Sequence, residues 1–359
     1  MKDMKKRPIH VAILAARNSI HTVRWINALV NEGVEIDLIT LHKQTSTDPI
    51  DNKIKLHLLP FSLPFGYLLN KNHIKKIISE IKPDVVHAIY AGGYGTLLRI
   101  ANFHPSIISA IGSDVDDTKL QSKWRFNLVQ SNLNFSDQIT VNSNYLGAQV
   151  KKFKINSISK IIPFGVDTDT FKPSDKTLKQ KINIGTVKTL EYGYGIDILI
   201  KAFALICKKY SSINLIIVGQ GSLKSELVNL TRELKIDNMV MFIDQIQYSK
   251  VPTILNKLSI FACLSRKEGF GVSVIEASAC GLPVVVSDVG GLPETLIDGK
   301  TGFIVKKDDP VSAAKAIEKL INDPKMRKKM GQAGRKFVID NYNWNDSVHK
   351  MINLYTEIV

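Results

Sequence analysis

Two carboxylates eight residues apart, Glu268 and Glu276, bracket the glycine-rich run Gly269-Phe270-Gly271-Val272-Ser273. The residues before it, Ile260 to Leu264, read as a short strand, and those after it have helical spacing. Glycines at a helix start let a ligand approach backbone N–H groups, and the helix dipole favours an anion there. Phosphate is the chemistry such a seat serves. Positions 272, 275, 276 and 279 recur at the spacing of a buried helix face, which sets Glu276 among Val272, Ile275 and Ala279. A carboxylate on that face costs stability unless something donates hydrogen bonds to it. Ribose or sugar hydroxyls would do so; a neighbouring Lys or backbone amide is the alternative.

Positioning these groups requires an α/β framework. The strand-like runs His10–Ala15, Glu35–Leu41, Lys55–Leu59, Asp84–Ile89, Ser106–Ile111 and Gln138–Asn142 alternate with amphipathic stretches such as Thr22–Glu32 and His73–Ile81. Strand-helix alternation predicts a parallel sheet covered on both faces. Turn-rich residues 161–173 mark a hinge. A second series follows, with strands Ile182–Val187, Asn214–Val218, Met239–Ile243, Ile260–Leu264 and Pro283–Ser287, and helices over 196–210, 222–234 and 273–280. The chain is 359 residues long, which at ~150 residues per domain also predicts about two domains. The expected division is 1–166 and 167–342, with a final helix in 343–359 packing back on the first domain. Ligands of such sheets sit beyond the carboxyl ends of the strands, so a cleft faced by both domains is the expected site.

The ordered motifs resemble the retaining glycosyltransferases of family 4, which have the GT-B fold of two Rossmann-like, doubly wound domains facing a cleft. Glu268 to Glu276 matches that family's E-x7-E motif. The likeness continues through Cys280-Gly281-Leu282-Pro283, Asp288-Val289-Gly290-Gly291-Leu292-Pro293-Glu294, Asp298-Gly299-Lys300-Thr301-Gly302, Ile217-Val218-Gly219-Gln220-Gly221 and Pro163-Phe164-Gly165-Val166-Asp167. In the first half it rests on Asp84-Val85-Val86-His87 and Gly112-Ser113-Asp114. The resemblance implies that Glu268 holds the transferred sugar and Glu276 the nucleotide ribose. It implies that Gly269, Phe270, Gly271 and Val272 offer backbone donors to sugar and diphosphate, with Gly185 nearby. Gln245 and Ile246 would read the nucleobase edge. Gly219 and Gly221 would allow a close approach near the nucleotide, which a plain strand-to-helix turn explains equally well.

Two departures stand out. The family's cationic pair on the diphosphate is replaced by Thr186 and Tyr194 in a loop about three residues longer, which makes Lys188 the candidate cation for the leaving group. Ile111 stands where the family often has His before Gly-Ser-Asp, leaving Asp114 as the polar group pointing at an acceptor hydroxyl, or as a helix cap. Asn18, Ser19 and His21, in the turn after the first strand, and Gly92 and Gly93, after His87, are the candidate acceptor contacts. Gly92-Gly93-Tyr94-Gly95 lacks the third glycine and the distal acid of a dinucleotide fingerprint. Asp114-Val115-Asp116 spells D-x-D, a metal-binding pattern in other transferases. No metal and no cofactor is expected, the nucleotide-sugar being a substrate. An epimerase or dehydrogenase of two Rossmann domains, or a silent homologue, is the competing reading; neither its acid-base constellation nor a lost Glu268 or Glu276 is seen.

The charge, 48 cations against 33 anions or +15, is carried by 39 Lys and only 9 Arg. That mix suits diffuse attraction to phosphates or anionic membranes rather than bidentate base reading, so no nucleic-acid partner is expected. Phe61 to Leu69 form an aromatic and apolar loop followed by Lys71, Lys75 and Lys76, a pattern for lying on an anionic membrane face beside a lipid-linked acceptor. Alternatively, the loop packs on its own domain, as the stripe Ile74, Ile77, Ile78 and Ile81 does. The amino-terminal apolar run is too short for a signal peptide or membrane span, and three cysteines form no closed disulfide set, so a cytoplasmic setting, with cell-surface polysaccharide or lipopolysaccharide synthesis as the task, is the expectation.

Overall fold

The computed structural model describes residues 7–43, 48–62, 65–115, 122–155, 159–174 and 181–359. It divides into two compact units, Met1–Pro163 with Asp346–Val359, and Phe164–Asn345.

In the first unit the strands are β1 (His10–Leu14), β2 (Glu35–Thr40), β3 (Lys55–Leu58), β4 (Val85–Ile89), β5 (Ser106–Ala110), β6 (Gln138–Val141) and β7 (Ser159–Ile161). Among the described residues they form one all-parallel sheet in the order β3-β2-β1-β4-β5-β6-β7. β1, β4 and β5 are buried at every position, as central strands covered on both faces must be. The second unit holds β8 (Ile182–Val187), β9 (Ile213–Val218), β10 (Val240–Ile243), β11 (Ile260–Cys263), β12 (Val284–Ser287) and β13 (Gly302–Val305), again all parallel, in the order β10-β9-β8-β11-β12-β13. Two doubly wound Rossmann-like sheets are therefore present, as the alternation predicts. β7 and β13 have no counterpart in the periodicity reading. Each is an edge strand of three or four residues.

Each sheet reverses its strand order once, at β1/β4 in the first and at β8/β11 in the second. Loops leaving the carboxyl ends of those strand pairs diverge and leave room for a ligand. Asn18, Ser19, His21, Gly92, Gly93, Lys188 and Glu268 to Gly271 fall in or at the ends of these connections, after β1, β4, β8 and β11. Asp114 follows β5, Gly185 lies in β8, Gly219 and Gly221 follow β9, Gln245 and Ile246 follow β10, and Val272 and Glu276 stand in the helix after the β11 loop.

The helix Trp344–Ile358 begins in the second unit and packs its end into the first. Its Tyr355 is fully buried and its hydroxyl lies 2.7 Å from His87 Nδ1 on β4. His87 Nε2 continues the chain to Ser109 Oγ, also 2.7 Å away. Burial drives the His87 pKa down to about 3, so the imidazole is neutral and supplies one donor and one acceptor to this line.

Candidate active site

The site assembles at the β8/β11 reversal of the second unit. Lys188 follows β8 by one residue, and its ammonium forms a direct ion pair with Glu268 Oε2, from the loop after β11. Both side chains are largely buried, at 12% and 15% exposure. Ser265 Oγ lies 3.4 Å from the same carboxylate oxygen, and the Tyr194 ring faces the Lys188 ammonium at 4.9 Å. Burial is the largest influence and would lower the Lys188 pKa, but the Glu268 carboxylate together with Cys263 and Tyr194 outweighs it and holds the ammonium above its usual range. Lys188 thus points at Glu268 and not at solvent.

Glycines press these loops together. A Cβ on Gly290 would lie 1.9 Å from Glu268 O, and one on Gly291 2.3 Å from Gly269 O, while Gly291 N donates to Glu268 O at 3.0 Å. The Gly290-Gly291 pair exists so that the Glu268 loop can rest on it. Gly271, at φ +109°, starts the helix Val272–Ala279, and no side chain caps that end. Ser273 Oγ, in the first turn, is buried with no partner among the described residues. Phe270 is buried, its ring meeting Tyr342 edge-on at 5.3 Å, which leaves its backbone as the part available to a ligand.

Glu276 is 5% exposed on the predicted apolar face, and the Tyr248 hydroxyl donates to its Oε1 at 2.7 Å. Gln245 is exposed and Ile246 half-buried in the loop just ahead of Tyr248.

Other predicted contacts have structural occupations. Gly219 and Gly221 are filled by the protein itself: a Cβ on Gly219 would meet Lys188 O at 1.9 Å, and one on Gly221 would meet Leu190 O at 2.3 Å. Their role is to seat the segment that carries Lys188, joined also by Lys188 N to Val218 O at 3.0 Å and Leu190 N to Gln220 O at 2.9 Å. Gly185 lies inside β8, where Ile216 O and Leu258 occupy the space a side chain would need. Thr186, also in β8, is buried.

In the first unit Asp114 does not project outward. It is 3% exposed and accepts from Ala91 N at 2.7 Å, Gly112 N at 2.9 Å and Ile111 N at 3.2 Å. Burial raises its pKa and these amides oppose the rise. The carboxylate staples the loop after β5 to the loop after β4, which corrects the reading of Asp114 as an outward acceptor contact. Asp116 lies outside the described residues, and among those described no group of three His, Cys, Asp or Glu side chains is placed to hold a metal. Gly93 is likewise filled, since a Cβ there would enter the Tyr67 ring at 2.2 Å. Gly92 O is bound by the buried Asn132 amide at 2.9 Å. Of the turn after β1, Ser19 caps the helix Ile20–Asn31 through Thr22 N at 3.5 Å, Asn18 is exposed, and His21 sits half-buried in the first helical turn.

The side chains that sequence reasoning missed are Ser265, Arg266 and Tyr248. Ser265 and Arg266 stand within three residues of Glu268. Tyr248 is brought to Glu276 by the fold alone, across 28 positions of chain.

Two family models match in tandem. Residues 10–143 match a model described as glycosyl transferase 4-like, and residues 167–337 one described as glycosyl transferases group 1. Among similar proteins, an uncharacterized glycosyltransferase of Methanocaldococcus jannaschii is 29% identical, over 89% of this chain and 90% of that one. A GDP-mannose-dependent alpha-(1-6)-phosphatidylinositol monomannoside mannosyltransferase of Mycolicibacterium smegmatis is 32% identical, over 59% of this chain and 60% of that one. The fold is similar to that of sucrose-phosphate synthase from Thermosynechococcus elongatus, with a TM-score of 0.86 at 21% identity, over 97% of this chain and 98% of that one. It is also similar to that of Anabaena HepE, solved with UDP-glucose, with a TM-score of 0.83 at 18% identity, over 97% of this chain and all of that one. With both sheets, both family matches and full-length structural likeness in agreement, the chain is a GT-B-fold glycosyltransferase related to the group 1 and 4-like families.

Proposed function

We propose that the chain transfers a sugar from a nucleotide-sugar donor to a saccharide or lipid-linked acceptor, with retention of anomeric configuration, in polysaccharide or glycolipid synthesis. The observation that carries this reading is the Lys188–Glu268 ion pair at the β8/β11 reversal, one loop away from the uncapped helix start at Val272. Diphosphate at that helix start, with Lys188 drawn toward it, meets the charge that grows as the glycosidic bond breaks. Preorganised donors aimed at developing charge are usually the largest catalytic contribution. Glu268, released from Lys188, then accepts hydroxyls of the transferred sugar, and Glu276 with Tyr248 grips the ribose. The acceptor attacks from the face the leaving group vacates, and no protein nucleophile is assigned. Lys188 and backbone donors meet the phosphate charge, so turnover proceeds without divalent metal.

The names of relatives point in the same direction, one being GDP-mannose-dependent and one structural neighbour having been solved with UDP-glucose. A lipid-linked acceptor is favoured by one surface. Phe65, Leu68 and Leu69 are 70%, 61% and 57% exposed beside exposed Lys71, Lys75 and Lys76, whereas Ile74 and Ile78 are buried and Ile77 and Ile81 pack on the core. The Ile stripe thus belongs to the fold. Gly66–Leu69 is a short helix rather than a loop, which buries Gly66 and packs Tyr67 on Tyr94 while Phe65, Leu68 and Leu69 face outward near the lysines; Leu63 and Pro64 lie outside the described residues. No described helix is long and apolar enough to cross a membrane.

The test is a thermal-shift panel with UDP, GDP and ADP, followed by transfer from the sugar nucleotide of the stabilising base, with the product's anomeric coupling read by NMR. Stabilisation by none of the three, or an inverted product, overturns the respective part.

A further inference from the structure

Arg266 sits two residues before Glu268 and makes an unusually complete set of contacts for a residue that touches neither Lys188 nor Glu268. Its fork is bidentate to Asp197, with both N···O distances 2.8 Å; its Nε donates to Asp308 Oδ1 at 2.6 Å, and its Nη1 also donates to Tyr192 O at 2.9 Å. The guanidinium stacks on the Tyr192 ring at 4.1 Å, and the residue is only 9% exposed. Its backbone N and that of Lys267 both donate to Gly193 O, at 2.8 and 3.2 Å. Gly195, at φ +61°, presses the same turn on the end of β11, where a Cβ would lie 1.9 Å from Leu264 O.

Apart from the bond to Asp308, which ties the guanidinium to the loop after β13, these contacts join the Tyr192–Gly195 turn, or the helix start just after it, to the segment leading to Glu268. That turn carries Tyr194, whose ring faces the Lys188 ammonium. Nine arginines occur in a chain with 39 lysines, so a planar fork at this place is a specific choice; a lysine has no geometry for four such bonds at once.

We infer that Arg266 is a positioning residue for the Lys188–Glu268 pair, acting by clamping the Tyr192–Gly195 turn so that Tyr194 holds the Lys188 ammonium against the carboxylate. The inference rests on the donor reading above only for its consequence, namely that Arg266 governs affinity for diphosphate without contacting the ligand.

Two measurements separate the clamp from that reading. The first needs no ligand: amine acetylation by acetic anhydride, quantified at Lys188 by mass spectrometry in the full chain. Arg266→Gln should raise the Lys188 rate about tenfold or more, because a lysine freed from its carboxylate spends more time as free amine. Arg266→Lys should restore protection only in part, and surface Lys209 and Lys224 should not change. An unchanged Lys188 rate, or a rise at all lysines together, overturns the inference. The second compares calorimetric Kd values for the nucleoside diphosphate and its nucleoside, for whichever of UDP, GDP or ADP binds. Arg266→Gln should weaken the diphosphate about tenfold and leave the nucleoside alone. Equal loss of both would mark a merely structural residue and overturn the positioning role. Failure of the wild-type chain to bind any of the three would overturn the donor reading, with the acetylation result still deciding the clamp.

Discussion

Tyr248 gives its hydroxyl to Glu276 at 2.7 Å, from a loop 28 residues earlier in the chain, and so makes a carboxylate tolerable on a helix face of Val, Ile and Ala.

Replacing Glu276 by Gln should weaken nucleoside diphosphate binding by roughly ten- to a hundredfold, the worth of a hydrogen bond to a charged group, ~1.5–3 kcal/mol. Tyr248→Phe should give a smaller loss of the same kind. Calorimetry with the preferred diphosphate decides, and wild-type affinity in Glu276→Gln would remove the ribose role.

Lys188→Gln removes the cation facing the leaving group and should lower kcat by about a hundredfold or more, on the scale seen when one preorganised donor is deleted. Lys188→Arg keeps the charge and should recover part of the rate. If Lys188→Gln changes KM alone, with kcat intact, the group aids binding but not bond cleavage.

Transfer should survive EDTA, since Lys188 and backbone donors are assigned the phosphate charge. Complete loss reversed by Mg²⁺ would redirect attention to Asp114 and Asp116. Asp114→Ala should instead show itself in stability, losing about 1–3 kcal/mol as the buried amide of residue 91 and the part-buried amides of 111 and 112 lose their acceptor. Urea denaturation measures that loss, and an unchanged midpoint would refute the stapling role.

The neutral His87 gives a signed pH dependence. Its pKa is depressed by burial from 6.5 to about 3 in the folded chain, so between those values the unfolded state binds the extra proton. Stability from this group is complete above pH 6.5 and falls as pH drops toward 3, by up to about 1.4 kcal/mol per pH unit. His87→Gln should flatten that slope between pH 6 and 4.5 in urea titrations; a slope identical to wild type would assign the acid sensitivity elsewhere.

Liposome sedimentation should show binding to anionic but not neutral vesicles, weakened by salt and by Lys71, Lys75 and Lys76→Gln, each basic residue being worth ~1 kcal/mol at the surface. Phe65→Ser with Leu69→Ser should reduce it at every salt concentration. Binding indifferent to lipid charge, or absent, would favour a soluble acceptor.

Much of this was legible in the order of residues. Alternation of β-branched runs with 3.6-period stretches announces two doubly wound sheets, because that periodicity is a local property of the chain. The glycine-flanked helix start at Val272 and the misfit of Glu276 on an apolar face are likewise local signals. What a glycine makes room for is not local. Gly219, Gly221 and Gly93 read either as approaches for a ligand or as plain turns, and in the structure the space a Cβ would need at each, and at Gly185, is taken by the chain's own backbone or side chains. The same holds for Asp114, whose carboxylate meets Ala91 N only because β4 and β5 lie side by side. Lys188 and Glu268 are 80 residues apart, and their meeting depends on β8 pairing with the distant β11 on one side as well as with β9 on the other. Sequence by itself determined the elements and the kinds of side chain at their ends; which ends adjoin, and so which charges pair, was decided by strand order in the sheet, a long-range outcome that no window of residues contains.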